Sequence, residues 1–417
     1  MMDWIEEELQ KIQQQKLLRR RTLREGLIDL CSNDYLGLRE HPEIKEEAIR
    51  VIKDYGVGSG ASALVSGYTI HHKSLEEKLA DFKGVPACVL FGSGYLANLG
   101  TIPALVSKGD MILSDQLNHA SIIDGCRLSR AKVFVFPHLD YEKAEEILKE
   151  NRRAYRRCLL VSDSVFSMDG DIAHLPTLLK LSQEYDCMLM LDEAHATGTL
   201  GEKGKGILYA FGIPWQENII LMGTLSKALG SYGAFVCGSQ RLVDYLINRA
   251  RSLIFSTSLP PSLCASAKKA LEILEREEWM VPTLKSMAGE IYRRLSEMGF
   301  FVKFYGTPIL PIMLYSEERA LELSNYLLER GVFLQAIRYP TVPMGEARLR
   351  LTASLKYKKE DLEYFYKLLK FPPPPSRPGP PSLTPSPSNP TSNLPHQVYS
   401  IVYSRIVLLA VIVLALA

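Results

Sequence analysis

Lys227 sits in Gly223-Thr-Leu-Ser-Lys-Ala-Leu-Gly230, directly after the apolar run Ile219-Ile220-Leu221-Met222. Glycine and alanine let a flat ligand approach the backbone, and Thr224 and Ser226 add hydroxyls without bulk. An amine in such surroundings loses its proton cheaply and can act as a nucleophile or Schiff-base former. Other groups able to do chemistry also follow apolar runs. Asp192 and His195, in Asp-Glu-Ala-His, come just after residues 188–191 and can face one ligand together. His119 follows residues 111–114, and the polar stretch Asp163-Ser-Val-Phe-Ser167-Met-Asp169-Gly-Asp171 follows residues 158–161. Gly92-Ser-Gly94-Tyr95-Leu-Ala-Asn98 follows residues 87–91 and reads as a glycine turn opening a helix, whose free N–H groups make an anion site. Taken singly, each has a bland alternative: a solvated lysine, a capping histidine, an ordinary glycine turn.

The elements that must position these residues are legible as an alternation. Short apolar runs at 87–91, 111–114, 133–136, 158–161, 187–191, 219–222 and 234–237 predict strands, with helical patterns between most of them. The expected class is α/β, a mostly parallel seven-stranded sheet with helices on both faces. Ligands in such sheets bind at the carboxyl ends of the strands, where the candidate residues fall. Earlier in the chain, spacing predicts a helix over 3–21, a strand at 27–30, a turn-rich segment at 32–38 and a helix opened by Pro42 and stopped by Gly56. A loop of small residues spans 56–70, and a helix returns over 71–82. Beyond Pro260 come two long helices, a strand at 308–315, a helix at 317–330, strands at 332–337 and 347–352, and a helix at 358–370. That proportion predicts a smaller C-terminal α+β domain. The expected division is an N-terminal segment 1–41, a large domain 42–275, a small domain 276–370, a Pro-rich linker 371–397 and an apolar tail 398–417.

Composition narrows the function. Lys and Arg number 49 against 47 for Asp and Glu, a net charge of +2 in 417 residues, so nothing global points to nucleic acid. Asp-Glu-Ala-His also occurs in nucleic-acid helicases, but that chemistry needs an upstream Gly-x-x-x-x-Gly-Lys-Ser/Thr loop, and the sequence has none. Seven scattered cysteines without a Cys-x-x-Cys pair predict reduced, buried thiols, a cytoplasmic location and no metal site. The acidic N-terminus lacks the apolar core of a signal peptide. Residues 372–395 hold eleven of the 24 prolines and predict a stiff linker. The closing run of twelve apolar residues, 406–417, falls short of the roughly 20 that a span needs, leaving a tether or a tail foreign to the enzyme as alternatives.

In chain order, anion site, His119, Asp192, His195 and Lys227 meet the needs of a pyridine aldehyde phosphate. The lysine takes the aldehyde, the helix start takes the phosphate, and Asp192 keeps the ring nitrogen protonated so that the ring can accept electrons. His195 would reach the ring hydroxyl and His119 would stack on the face.

The chain resembles the α-oxoamine synthases over about residues 15–370. The resemblance rests on Ser-Asn-Asp-Tyr-Leu-Gly-Leu at 32–38, Asn-His-Ala-Ser at 118–121, Val-Phe-Ser-Met-Asp-Gly-Asp at 165–171, Asp-Glu-Ala-His at 192–195 and the stretch around Lys227. Within the family, Gly58–Gly67, Phe255–Pro261 and Ala336–Pro343 point to the branch that joins L-alanine to a pimeloyl thioester, carried by CoA or an acyl-carrier protein. A glycine-using branch is the alternative, and Tyr339 stands where the first branch commonly has proline. The resemblance implies a pyridoxal 5′-phosphate (PLP) transferase of fold type I, a Schiff base on Lys227, and a homodimer with shared active sites. It further implies that Gly94, Tyr95, Ser167 and Thr224 contact the cofactor, that Ser256 and Thr257 reach the partner's phosphate, and that Arg19, Asn33, Thr341 and Arg350 contact substrate. Lys227, His119 and Asp192 would carry catalysis.

Overall fold

The computed structural model describes residues 2–370 apart from Lys16 and Arg20. The linker and tail expected at 371–397 and 398–417 lie outside the described residues. The strands are β1 Ile28–Asp29, β2 Ala87–Phe91, β3 Met111–Asp115, β4 Lys132–Phe136, β5 Cys158–Asp163, β6 Met188–Asp192, β7 Ile219–Thr224, β8 Ala234–Gly238, β9 Ile309–Tyr315, β10 Val332–Phe333, β11 Ala336–Ile337 and β12 Ala347–Thr352. Seven of them form one sheet in the order β2-β8-β7-β6-β5-β3-β4. Its pairs are parallel except the two made by β8.

Alternate residues of these strands enter two separate cores. Cys88, Leu90, Cys158 and Leu160 join one; Ala87, Val89, Phe91, Leu159 and Val161 join the other. A sheet covered on both faces requires such unbroken apolar runs, because each face must be removed from water. The helices that cover it start at recognisable caps. Ser93 accepts from the N–H of Leu96 at the start of Gly94–Leu105, His119 caps Ala120–Ser129, and Pro42 occupies the first turn of Pro42–Tyr55. Because β4 and β5 lie on opposite sides of β3, a crevice opens at the carboxyl ends of β3 and β5. A second sheet, β11-β12-β9, is antiparallel and carries Arg350 on β12.

Two expectations need correction. The N-terminal helix stops at Gln14 instead of continuing to residue 21. None of its residues is buried, so no packing rewards further turns, and the half-buried Leu17, whose N–H turns back to Ile12 O at 2.9 Å, and Leu18 follow outside the helix. The strand expected over 332–337 is two strands in different sheets: β10 pairs with β1 and β11 with β12. Among the described residues, no helix is long and apolar enough to cross a membrane.

Candidate active site

Lys227 lies on a tight turn between β7 and β8. Leu225 donates its N–H to Gly233 O at 2.9 Å, Ser231 donates to Leu225 O at 2.9 Å, and Gly230 donates to Lys227 O at 2.9 Å. Leu225, Ala228 and Leu229 are buried beneath it and peg the turn to the core. Gly230 has φ +64°, and a Cβ there would sit 2.4 Å from Arg39 N, so the close approach of the two backbones requires glycine. Thr224 donates its hydroxyl to Gly233 O at 3.0 Å and accepts from Ser226 N at 3.2 Å. The Lys227 amine meets His195 Nε2 at 2.8 Å. Burial lowers its pKa to about 8; Asp192 pulls the other way, and Arg350 adds to the lowering.

Asp192, at the end of β6, is held at both oxygens. Oδ2 accepts from Asn98 Nδ2 at 2.9 Å and Oδ1 from Ala194 N at 2.9 Å. Asn98 Nδ2 also donates to Ser121 Oγ at 2.8 Å, so the Ser121 hydroxyl proton is left for His119 Nδ1, 2.7 Å away. The N–H of Ser121 points at the same ring nitrogen at 3.3 Å. Nδ1 is therefore the acceptor, and a neutral His119 carries its proton on Nε2. The residue has an open face, yet enough protein surrounds it that desolvation lowers its pKa, against the pull of Asp192. Its backbone N–H donates to Asp163 Oδ2 at 2.7 Å. Burial, and then the charge of Asp192, push the Asp163 carboxyl well above the usual range.

A hydrogen-bonded chain leads from Lys227 to the second sheet. His195 Nδ1 meets Tyr35 Oη at 2.7 Å, Tyr35 Oη meets Asn33 Oδ1 at 3.1 Å, and Arg350 Nη1 donates to the same Oδ1 at 3.0 Å. Arg350 Nε donates to Ser167 O at 2.6 Å. A guanidinium has only donors, so the Asn33 atom facing it is oxygen, and Tyr35 must donate to that oxygen. Tyr35 then accepts from His195 Nδ1–H, which leaves a lone pair on Nε2 for Lys227. Burial, with Lys227 and Arg350 nearby, holds the His195 pKa well below its ordinary value, consistent with one ring proton.

The structure therefore places Lys227, His195, Asn33, Arg350 and the Ser167 carbonyl on one hydrogen-bonded chain, and Asp192 and His119 on a second through Asn98 and Ser121, with Thr224 in the turn that carries Lys227. Gly94 starts its helix opposite Thr224: a Cβ at 94 would meet only the Thr224 Cβ, at 4.0 Å. Tyr95 is 42 % exposed and its hydroxyl bonds Asp124. Arg19 Nη2 lies 3.5 Å from Thr341 Oγ1, so these two expected contacts adjoin each other. Ser256 and Thr257 line a different cavity, with Tyr68, His72 and Glu76, and Lys227 is not among its lining residues. Sequence reasoning missed Tyr35, Asn98 and Asp163 as site residues. Tyr35 lies inside the 32–38 motif and Asn98 one helical turn after Gly94, but nothing local marks either side chain as a partner of His195 or Asp192.

The donor set fits PLP. The first helical N–H groups, at Gly94 and Tyr95, have no intrahelical acceptor and open onto an uncluttered cradle beside Thr224. A carboxylate, a neutral imidazole and an amine of lowered pKa complete it. A family model for aminotransferase class I and II matches residues 25–369. The 8-amino-7-oxononanoate synthase of Geobacter sulfurreducens is 46% identical over 370 residues, covering 85% of this chain and 94% of that protein. A protein of Aquifex aeolicus given the same name provisionally is 62% identical over 369 residues, covering 88% and 98%. A solved serine palmitoyltransferase from S. paucimobilis, with a PLP–myriocin adduct bound, superposes with a TM-score of 0.81 at 27% identity, covering 88% of this chain and 96% of that one. The chain belongs to the class I and II aminotransferase family and, within it, to the PLP-dependent α-oxoamine synthases.

Proposed function

We propose that the chain is an 8-amino-7-oxononanoate synthase, condensing L-alanine with a pimeloyl thioester to give 8-amino-7-oxononanoate, CO2 and the free thiol in biotin biosynthesis. The observation that carries the amino-acid half is the unbroken chain from the Lys227 amine through His195, Tyr35 and Asn33 to the Arg350 guanidinium. The names of the relatives support the acyl half. When bound, PLP supplies an electron sink for the carbanion formed at Cα. Lys227 would hold its aldehyde, Asp192 its ring nitrogen, His195 its ring oxygen, His119 its face and Ser167 its side. The N–H groups of Gly94 and Tyr95 would hold its phosphate, with Thr224 contacting the cofactor beside them.

Arg350 clamps the alanine carboxylate and thereby decides which Cα bond is set to break. Lys227, released as an amine of lowered pKa, takes the Cα proton and later returns one. His119, with its proton on Nε2, donates to the thioester oxygen as charge builds there. Arg19 and Thr341, adjoining each other, are assigned to the acyl substrate.

The remaining assignments belong to the same reading. The enzyme is a cytoplasmic homodimer, with a large lobe at 42–275 and a small one at 276–370. The exposure of Val57, Leu64, Val65 and Phe255 supports a partner surface there. The separation of Ser256 and Thr257 from Lys227 within one chain supports their serving the partner's phosphate. The acyl carrier is CoA or an acyl-carrier protein.

The test compares alanine and glycine, each with pimeloyl-CoA and acetyl-CoA, by thiol and CO2 release. Alanine with pimeloyl-CoA is expected to give the highest kcat/KM. A preference for glycine with acetyl-CoA would make the chain a glycine C-acetyltransferase instead.

A further inference from the structure

The hairpin at 165–172, closed by a bridge between Val165 and Ile172, stands between the seven-stranded sheet and the three-stranded one. It gives Arg350 the carbonyl of Ser167 at 2.6 Å. On the small-sheet side it is tied by Asp169, which takes Arg348 Nη1 at 2.7 Å and Lys303 Nζ at 2.5 Å, and by Thr307, which donates to Gly170 O at 2.7 Å. Arg348 lies two residues before Arg350 on β12 and is fully buried.

On the large-sheet side the tie is His138, a residue the reaction does not use. Its Nδ1 meets Asp115 Oδ1 at 2.9 Å and its Nε2 meets Asp171 Oδ2 at 2.6 Å. Phe166 of the same hairpin packs edge-on to the ring at 4.4 Å. Asp115 is anchored in turn by the N–H groups of Leu117 and Leu139. Carboxylates only accept, so both bonds exist together only when the imidazole carries both protons.

We infer that His138 is a positioning residue: its imidazolium locks the 165–172 hairpin to the end of β3, so that the Ser167 carbonyl aims Arg350 at the substrate carboxylate. This inference rests on the assignment of Arg350 to that carboxylate. Burial alone would lower the His138 pKa, but the bonds to Asp115 and Asp171 overcome it and push it up to about 9. The other groups sharing these fields are Tyr141, which feels Asp115 and Asp171, and Tyr305, which feels Asp171, Lys303, Asp169 and Arg348. A folded pKa of about 9 keeps the imidazolium, and with it the lock, in place to about pH 8 and loses it as pH rises through about 9, while its contribution to stability is full below pH 6.5.

The experiment measures propionate as a competitive inhibitor against alanine, from pH 7 to 10, in the PLP-loaded enzyme and in His138→Gln and Asp171→Asn. Propionate has the carboxylate but no amine to titrate. Wild type should bind it evenly up to about pH 8 and more weakly above about 9. His138→Gln should bind it about tenfold more weakly at pH 7, with no break, KM for alanine rising while kcat holds within about threefold. A purely structural role would lower the melting temperature and depress kcat along with kcat/KM, and that outcome overturns the inference. So does a His138→Gln inhibition constant that matches wild type or keeps the alkaline break. If neither variant folds, a flat wild-type profile through pH 10 overturns it. A wild type that binds propionate yet rejects pimeloyl-CoA would sink the proposed function and leave the lock to be judged on propionate alone.

Discussion

Asp192 and Glu193 are neighbours in sequence, each near a lysine, and the two pairs are built on opposite principles. Lys83 and Glu193 have fully buried side chains. The Lys83 ammonium donates to Glu193 Oε2 at 2.7 Å, Thr197 Oγ1 at 2.9 Å and Lys205 O at 2.9 Å, which uses all three of its protons. Glu193 Oε1 accepts from Ile207 N at 2.6 Å, and a Cβ on Gly206 would sit 2.1 Å from that oxygen. Lys227 has a single hydrogen-bond partner among the described residues, an imidazole nitrogen, while Asp192 spends both oxygens on Asn98 and Ala194. Burial by itself does not make a lysine reactive. What separates the two is the supply of acceptors: Lys83 has one for each of its three protons, and Lys227 has one imidazole nitrogen.

The strongest way to break this contrast is to remove each lysine. Lys227→Ala should cut turnover by at least about 10⁴-fold and abolish the absorbance of lysine-held cofactor, while denaturation midpoints stay near wild type. Lys83→Ala should cost about 3–5 kcal/mol of stability by stranding a buried carboxylate, with kcat preserved in whatever stays folded. Chemical denaturation beside steady-state kinetics separates the two; a stable Lys83→Ala would end the comparison. Neutralising the acids sharpens it. Asp192→Asn should lower kcat by roughly 10³-fold without unfolding if, as proposed, its carboxylate faces the ring nitrogen; Glu193→Gln should be read chiefly in stability.

A smaller effect lies in the pH dependence of the cofactor-free chain. Lys227 is depressed from the ordinary lysine value of 10.5 to about 8, so the unfolded state binds the extra proton between those limits. Stability should therefore rise with pH across that window, and Lys227→Met should flatten the slope measured by urea denaturation. The smallest change is expected from Arg350→Lys, which keeps the charge and loses the fork: KM for alanine should rise about tenfold with kcat little altered.

How much of this was legible in the sequence followed the range of the interactions involved. The sequence places the seven strands of the main sheet to within two residues at either end, because runs buried on both faces leave little choice. The N-terminal helix was drawn too long because apolar spacing says where a face could be buried, not whether anything covers it. The split at 332–337 arose because β10 and β11 choose partners, β1 and β12, that local pattern does not name. Lys227, Asp192, His195 and His119 announced themselves by standing at strand ends. Tyr35 and Asn98 did not, since their partners lie 160 and 94 residues away and the bonds exist only once the sheet is assembled.

The Tyr35 hydroxyl has one further consequence. Asn33 Oδ1 is already served by Arg350, so it does not depend on Tyr35. Turned about its C–O bond, the same hydroxyl can give its proton to His195 Nδ1 only once that nitrogen has lost its own, which requires the ring proton to sit on Nε2 instead. That second state needs a relocated ring proton as well as a turned hydroxyl, and every heavy atom stays in place. His195 can offer a lone pair to an amine in one state and a proton to an anionic oxygen in the other, so a single rigid pocket accommodates two oppositely demanding guests.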